Sequence, residues 1–447
     1  MTPDHLVTTA LGHLDAGCVI LRSAHVQNLR WANSALTTNG DTRTTSMTVI
    51  ALRPADGGTR VAVSSGQVAD DEQAADLARA CAETASTAPV TDPADLVKGP
   101  SANDFGDAPA SISEAGTGAM LAAVGTFLDQ PEAQFGYAEL DMTTTYLATT
   151  AGTRVRHAQD AVRIESSARA AHGSTWWGTN SLQADFPSAA HATTERLGVQ
   201  QTREHLNPGR HRVILTPSAV ADLLIYLAWS ANGRDAVEGH NVFARPGGGT
   251  RLGEKLSSRS LDLFADPGQP GLGTCDRVVV DANSSMESVF DNGLPLSRTH
   301  LITGGRLTAL RASRPTAARF GLEPVYLADN LVLTDAAGHG DPAELVARTD
   351  DAVLITCLWY IREVDPQNLL LTGLTRDGVY RIRGGRIVSA VGNFRFNVSV
   401  PDVLARIVDA SASTRCLPRE WADWFTRTQM PALLVDGFNL SSPSEAM

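Results

Sequence analysis

The chain has 447 residues, 43% hydrophobic and 19% charged, a length and mixture that fit a soluble globular protein of two domains and exclude wholesale disorder. Its formal charge of −12, with no run of Lys or Arg, argues against general binding to nucleic acid or an anionic membrane, because both require clustered positive charge. The five cysteines, Cys18, Cys81, Cys275, Cys357 and Cys416, stand far apart without a C-x-x-C pair, which speaks against a disulfide scaffold and suits a reducing cytoplasm.

The first residues show no basic stretch followed by an apolar core, and no apolar run approaches about 18 residues, so neither export nor a membrane span is expected. Gly17 to Thr38 reads as β structure, and Thr48 to Val63 as a hairpin about Ala55-Asp-Gly-Gly. Asp70 to Thr84 changes to helical period, with Ala74, Leu77, Ala78 and Cys81 on one face and acidic residues at its start. Residues 85–113, rich in Pro, Ala, Ser and Asp, read as an irregular connection before a second helix from Gly116 to Leu128. Tyr137 to Ala148 and Thr153 to Arg169 pair as strands around Thr149-Thr-Ala-Gly-Thr. Ala170 to Gln183 is a polar segment holding Trp176 and Trp177, and Thr193 to Arg203 is predicted helical.

Asn207-Pro-Gly-Arg closes the first half, and a short strand, Arg212 to Leu215, leads into the helix Thr216 to Ser230. Thr216 caps that helix, Pro217 suits its first position, and Val220, Leu223, Leu224 and Leu227 form an apolar face. Beyond it the pattern is mostly β. Two Gly-Gly hairpins, His300 to Leu310 and Tyr380 to Ala390, resemble each other. Asp402 to Ala410 is predicted helical, and Met430 to Leu440 returns to strand alternation.

Local motifs exclude several chemistries. The histidines, at 5, 13, 25, 157, 172, 191, 205, 211, 240, 300 and 339, include no pair four or five apart, so no helix offers two imidazoles to zinc. His205 and His211 are separated by Pro208 and Gly209, and His240 reads as a loop residue. Gly248 and Gly253 have phosphate-loop spacing, but Glu254 stands where that motif needs Lys. No G-x-S-x-G elbow is present. Cys357 sits in an apolar run and reads as a buried strand residue, leaving Cys275 as the more exposed thiol, without a local histidine. Trp359-Tyr-Ile-Arg-Glu-Val-Asp-Pro places aromatic and arginine side chains at a strand end. They could line a peptide groove, or one aromatic could pack while the rest are solvated.

An ordered series of short elements in the second half resembles the TldD/PmbA family, specifically its PmbA (TldE) branch. The series begins with Val213 to Leu227, Arg251-Leu-Gly-Glu-Lys, Asp266-Pro and Gly271-Leu-Gly. Asp291-Asn-Gly-Leu-Pro, Arg298-Thr, Leu301-Ile, Pro324 and Asn330-Leu-Val-Leu follow. It ends with Glu344-Leu-Val-Ala-Arg-Thr, Leu358-Trp, Val364-Asp-Pro, Gly378 to Ile387 and Asn393-Phe, and so covers roughly residues 210–440. The resemblance implies an α+β fold, with an N-terminal α/β two-layer domain (residues 1–205) and a larger β-rich antiparallel domain (residues 206–447). In the TldD branch the corresponding helix carries H-E-x-x-x-H and a zinc ion. Here Thr216 to Ser230 has no histidine and, as its only carboxylate, Asp222; Cys416 does not match the branch's ligand cysteine.

The resemblance therefore implies a cytoplasmic, non-catalytic subunit without a cofactor of its own. It would pair with a zinc-bearing TldD-like chain to form a heterodimeric metallopeptidase that admits unfolded or extended peptides. Trp359, Tyr360, Arg362, Asn393 and Arg395 are the expected substrate-groove residues. The alternative is a homodimeric hydrolase acting by itself in peptide or small-molecule natural-product tailoring.

Overall fold

The computed structural model describes residues 2–92 and 94–445. Helix α1 (Pro3–Leu11) precedes the long strands β1 (Gly17–Ala32), β2 (Ala35–Ala55) and β3 (Gly58–Gln67), which are followed by α2 (Asp71–Ala85), β4 (Val90–Thr91) and α3 (Glu114–Leu128). Strands β5 (Ala133–Thr149), β6 (Arg154–Ala170) and β7 (Gly173–Thr179) complete an antiparallel sheet of order β4-β3-β2-β1-β5-β6-β7, and α4 (Phe186–Val199) ends this part of the chain. Asp70 and Ser113 cap α2 and α3 by accepting backbone N–H groups in the first turn.

Strand alternation assigns this sheet two unlike faces. Val19, Leu21, Met47 and Tyr146 pack with α1 and α2, and Leu29, Trp31, Leu140 and Ile164 join the cluster of α3 and α4. All four helices therefore cover one face. On the opposite face Cys18, Ile20, Leu147 and Val155 pack against Val289 and Phe290, and the remainder of that face is polar.

The second part opens with β8 (Gly209–Leu215), α5 (Pro217–Ser230), α6 (Gly233–Glu238) and β9 (Leu261–Ala265). Then come β10 (Thr299–Thr303), β11 (Arg306–Leu307), α7 (Arg314–Phe320), β12 (Leu331–Asp335) and α8 (Pro342–Ala347). It continues with β13 (Asp351–Asp365), β14 (Leu370–Arg383), β15 (Arg386–Ala390), β16 (Asn393–Ser399), α9 (Val400–Ala405), β17 (Ile407–Ala410), β18 (Thr414–Cys416), β19 (Thr428–Met430) and β20 (Leu433–Ser444). One sheet has the order β11-β10-β9-β12-β19-β18. In the other, pairings β13–β8, β8–β20, β20–β16, β16–β14 and β14–β13 close on themselves. The two Gly-Gly hairpins form as predicted, with all four glycines at positive φ; a Cβ on Gly385 would lie 2.2 Å from the Ala347 carbonyl oxygen. The chain is thus α+β, with two helix-and-sheet layers first and a larger, mainly antiparallel part after it.

Helix α5 is capped by Thr216, whose Oγ1 accepts from the Ala219 N–H, and runs between the two later sheets, touching β13, β18 and β19. Ten of its fourteen residues are buried, so it is enclosed on nearly every side rather than on one apolar face.

Three boundaries differ from expectation. Helix α4 starts at Phe186, not Thr193, because Asp185 caps it and Pro187 occupies its first turn. The segment around Trp176 and Trp177 is strand β7, held by β6, with Trp177 packed against Phe127 and Phe186. The helix expected at Asp402 to Ala410 stops at Ala405, since Ile407, Asp409 and Ala410 pair with β20. Sheet pairing there outweighs the local helical pattern. Among the described residues no helix is long and apolar enough to cross a membrane.

Candidate functional site

The polar face of β5 and β6 forms one wall of a large cleft. Thr143 and Thr145 alternate along β5, and His157, Gln159 and Ala161 along the facing stretch of β6, where the register pairs Thr145 with His157 and Thr143 with Gln159. The opposite wall is made by Ile225, Ala228 and Trp229 of α5, by residues 277–280 and by Trp424, Phe425 and Arg427. The central lobe holds about 680 Å³, and lobes of about 550 and 510 Å³ share Ala161 and Arg427 with it.

Several titratable groups line this cleft. Burial pushes the His157 imidazole down, which keeps it neutral at pH 7, and its Nε2 has no hydrogen-bond partner among the described residues. Cys275 also lines the cleft, but burial pushes its thiol up to about 11, which leaves it protonated and a poor nucleophile. Arg311 donates to Glu287 at 3.2 Å, and Tyr326 donates its hydroxyl to Asp291 at 2.6 Å.

The cleft's rim is built by residues 417–427, which tie α5 to the two flanking sheets. The buried Asp222 carboxylate accepts the backbone N–H groups of Glu420 at 3.0 Å and Arg419 at 3.3 Å. Trp421 donates its indole N–H to the Asp222 carbonyl at 2.9 Å and packs its ring against Trp229 and Tyr226. Arg419 donates to Glu165 at 2.9 Å and lies over both Trp176 and Trp359. Glu420 reaches the other way and accepts the N–H groups of Tyr360 at 2.7 Å and Ile361 at 3.0 Å.

The residues of α5 do not fit a zinc ion. Its cleft-facing positions are Ile225, Ala228 and Trp229, none of which donates an electron pair to a metal. Its single carboxylate is fully buried, pushed well above the ordinary Asp value by that burial, and occupied by two backbone donors. Cys416 lies against the first turn of the helix, 3.5 Å from the Pro217 carbonyl oxygen, with its thiol pushed up to about 12 by burial. Among the described residues the one trio able to reach a common ion is Asp235, Glu238 and His240 on the surface. Arg234 already holds Glu238, and Asn232 holds Asp235. Glu254, at the failed phosphate-loop position, is bound by Arg245 and Arg251.

The five expected groove residues occupy two places. Trp359 is half-buried between the guanidinium groups of Arg376 and Arg419. Tyr360 is 55% exposed, has φ +56°, and carries Arg362 over its ring; Arg362 also reaches Glu420 at 3.3 Å. Asn393 and Arg395 stand across β14 on β16, Asn393 lining a separate cavity of about 140 Å³ and Arg395 exposed beside Leu374. None of the five is in the walls of the large cleft. Sequence reasoning missed the actual wall residues, His157, Gln159 and Arg427 among them. Their signal was the polar alternation of β5 and β6, which in sequence is indistinguishable from a solvated face.

Comparison with known proteins agrees with this architecture. The family model described as PmbA/TldA metallopeptidase C-terminal domain matches residues 208–442, more than half of the chain. Three solved structures share the fold nearly end to end. TldE from Thermococcus kodakarensis has a TM-score of 0.76 at 14% identity, covering 98% of this chain and 99% of that one. A protein described as a modulator of DNA gyrase from Bacteroides thetaiotaomicron has a TM-score of 0.74 at 12% identity, and one so described from Thermotoga maritima 0.69 at 15%, each covering 98% of both chains. No curated protein matches the sequence.

Proposed function

The chain belongs to the PmbA/TldD family, and from that premise we propose that it is a non-catalytic, TldE-like subunit of a metallopeptidase, paired with a zinc-bearing TldD-like chain and shaping the cleft that admits extended peptides. One observation carries the reading: α5 presents apolar side chains where metal donors would be needed, and its lone carboxylate is spent on the 419–420 backbone. A carboxylate so bound structures the rim of the cleft and is in no position to activate water. The cleft is large enough for several residues of a peptide, and its threonine-rich strand wall offers hydrogen-bond partners to a backbone of any sequence.

The test is co-purification with a TldD-like chain, with metal analysis and peptide hydrolysis measured for each chain alone and for the pair. The proposal expects zinc and turnover only where the TldD-like chain is present, and greater peptide turnover in the pair. Stoichiometric zinc and hydrolysis by this chain alone would overturn it in favour of an independent, homodimeric hydrolase.

A further inference from the structure

Arg427 is 9% exposed, yet it lines all three lobes of the cleft. Its guanidinium makes no hydrogen bond or ion pair to any described residue, whereas Arg22, Arg163, Arg311 and Arg415, which line the same cleft, all find acceptors. The backbone that presents it is pinned on both sides. The buried Asn180 amide nitrogen lies 2.8 Å from the Thr426 carbonyl oxygen and 3.1 Å from that of Thr428, and the Arg427 carbonyl itself accepts from Leu331 N–H at 3.0 Å. A largely buried arginine on a pinned backbone, without a protein acceptor, leaves its donors open to a ligand, and a planar fork of donors matches a carboxylate.

We infer that Arg427 is the receptor for a carboxylate of the bound peptide, either the C-terminal group or an Asp or Glu side chain. The inference rests on the peptide-binding reading above. Charge limits the anion that the site can take. Asp329, Asp160 and Asp141 act on Arg427 from around the cleft without pairing with it, and their field opposes a dianion such as phosphate more strongly than a single carboxylate. Gln159, which donates to Asp329 at 3.3 Å, restrains one of these competitors.

The experiment is calorimetric titration of this chain alone with acetyl-trialanine as the free acid, the same peptide as its C-terminal amide, and acetyl-Ala-Asp-Ala amide. The free acid, the Asp peptide, or both should bind about tenfold or more tightly than the trialanine amide, and which of them does so names the source of the carboxylate. Arg427→Gln, with an unchanged circular dichroism spectrum, should erase the preference, and Arg427→Lys should keep part of it. Should Arg427→Gln not fold, Asp329→Asn serves instead and should tighten carboxylate binding severalfold without changing binding of the amide. Equal affinity for acid and amide, no binding of any of the three, a preference that survives folded Arg427→Gln, or no gain in Asp329→Asn would each overturn the inference. Because no partner chain is needed, this result is independent of whether the zinc-bearing pair forms.

Discussion

Asp222→Ala is the most direct perturbation of the link between the buried helix and the cleft. The substitution removes both acceptors of the Arg419 and Glu420 N–H groups and leaves two donors in a half-buried segment without partners. Each unpaired donor costs about 1–3 kcal/mol, and relaxation of the segment toward water limits the total to about 2–4 kcal/mol. The sign of the pH dependence follows from the folded-state pKa, which burial raises well above the ordinary value. The contribution of Asp222 to stability is therefore fully present below its unfolded value of about 4 and is lost as pH rises through the folded value. Urea denaturation at pH 4.5 and pH 7.5, followed by tryptophan fluorescence, should show wild type more stable than the variant, with the larger gap at pH 4.5. A difference under about 0.5 kcal/mol at both pH values, or a gap that widens as pH rises, would refute the reasoning.

Leu224→Ala, at a side chain 2% exposed inside α5, should cost about 2–5 kcal/mol in the same denaturation assay, because the helix is enclosed and the cavity cannot fill from solvent. Asn180→Ala should destabilise by about 1–3 kcal/mol through loss of the amide bridge to the Cys416, Thr426 and Thr428 carbonyls, read as a lowered melting temperature. Arg362→Ala should change stability by less than about 1 kcal/mol, since Arg362 is itself more than half exposed and the buried Glu420 carboxylate keeps its Tyr360 and Ile361 N–H donors; lying outside the cleft walls, it should lower peptide turnover by the reconstituted pair only through the rim that Glu420 anchors. Loss of pair assembly in that variant would make Arg362 a structural residue instead.

Much of the fold was legible from local chemistry. The Ala55-Asp-Gly-Gly hairpin, the capped helix after Asp70, the Thr216-Pro start of α5 and both Gly-Gly hairpins all depend on interactions within a few residues, and all appear where expected. Strand β7 was not legible, because Trp176 and Trp177 face different surroundings. Trp176 donates to Glu165 on the cleft side, and Trp177 packs among Phe127 and Phe186 under the helices. The end of α9 was missed for a related reason: Ile407 to Ala410 follow a helical pattern, but β20 supplies their backbone partners from more than twenty residues away.

For the site, the sequence by itself determined what α5 lacks. No packing can supply an imidazole to a helix that has none, so the lack of a two-histidine zinc motif on α5 follows from composition and period alone. Tertiary structure decided what took its place. Asp222 would have read as an ordinary helical carboxylate until the 417–427 segment, nearly two hundred residues later, set two N–H groups against it. Arg427 is one arginine among many in sequence, and only the meeting of the β5–β6 face with α5 and Asn180 makes it a buried cation at the centre of a cleft. Local pattern can report which groups a segment owns; whether a charge is desolvated, and what remains to satisfy it, depends on surfaces brought together from distant parts of the chain.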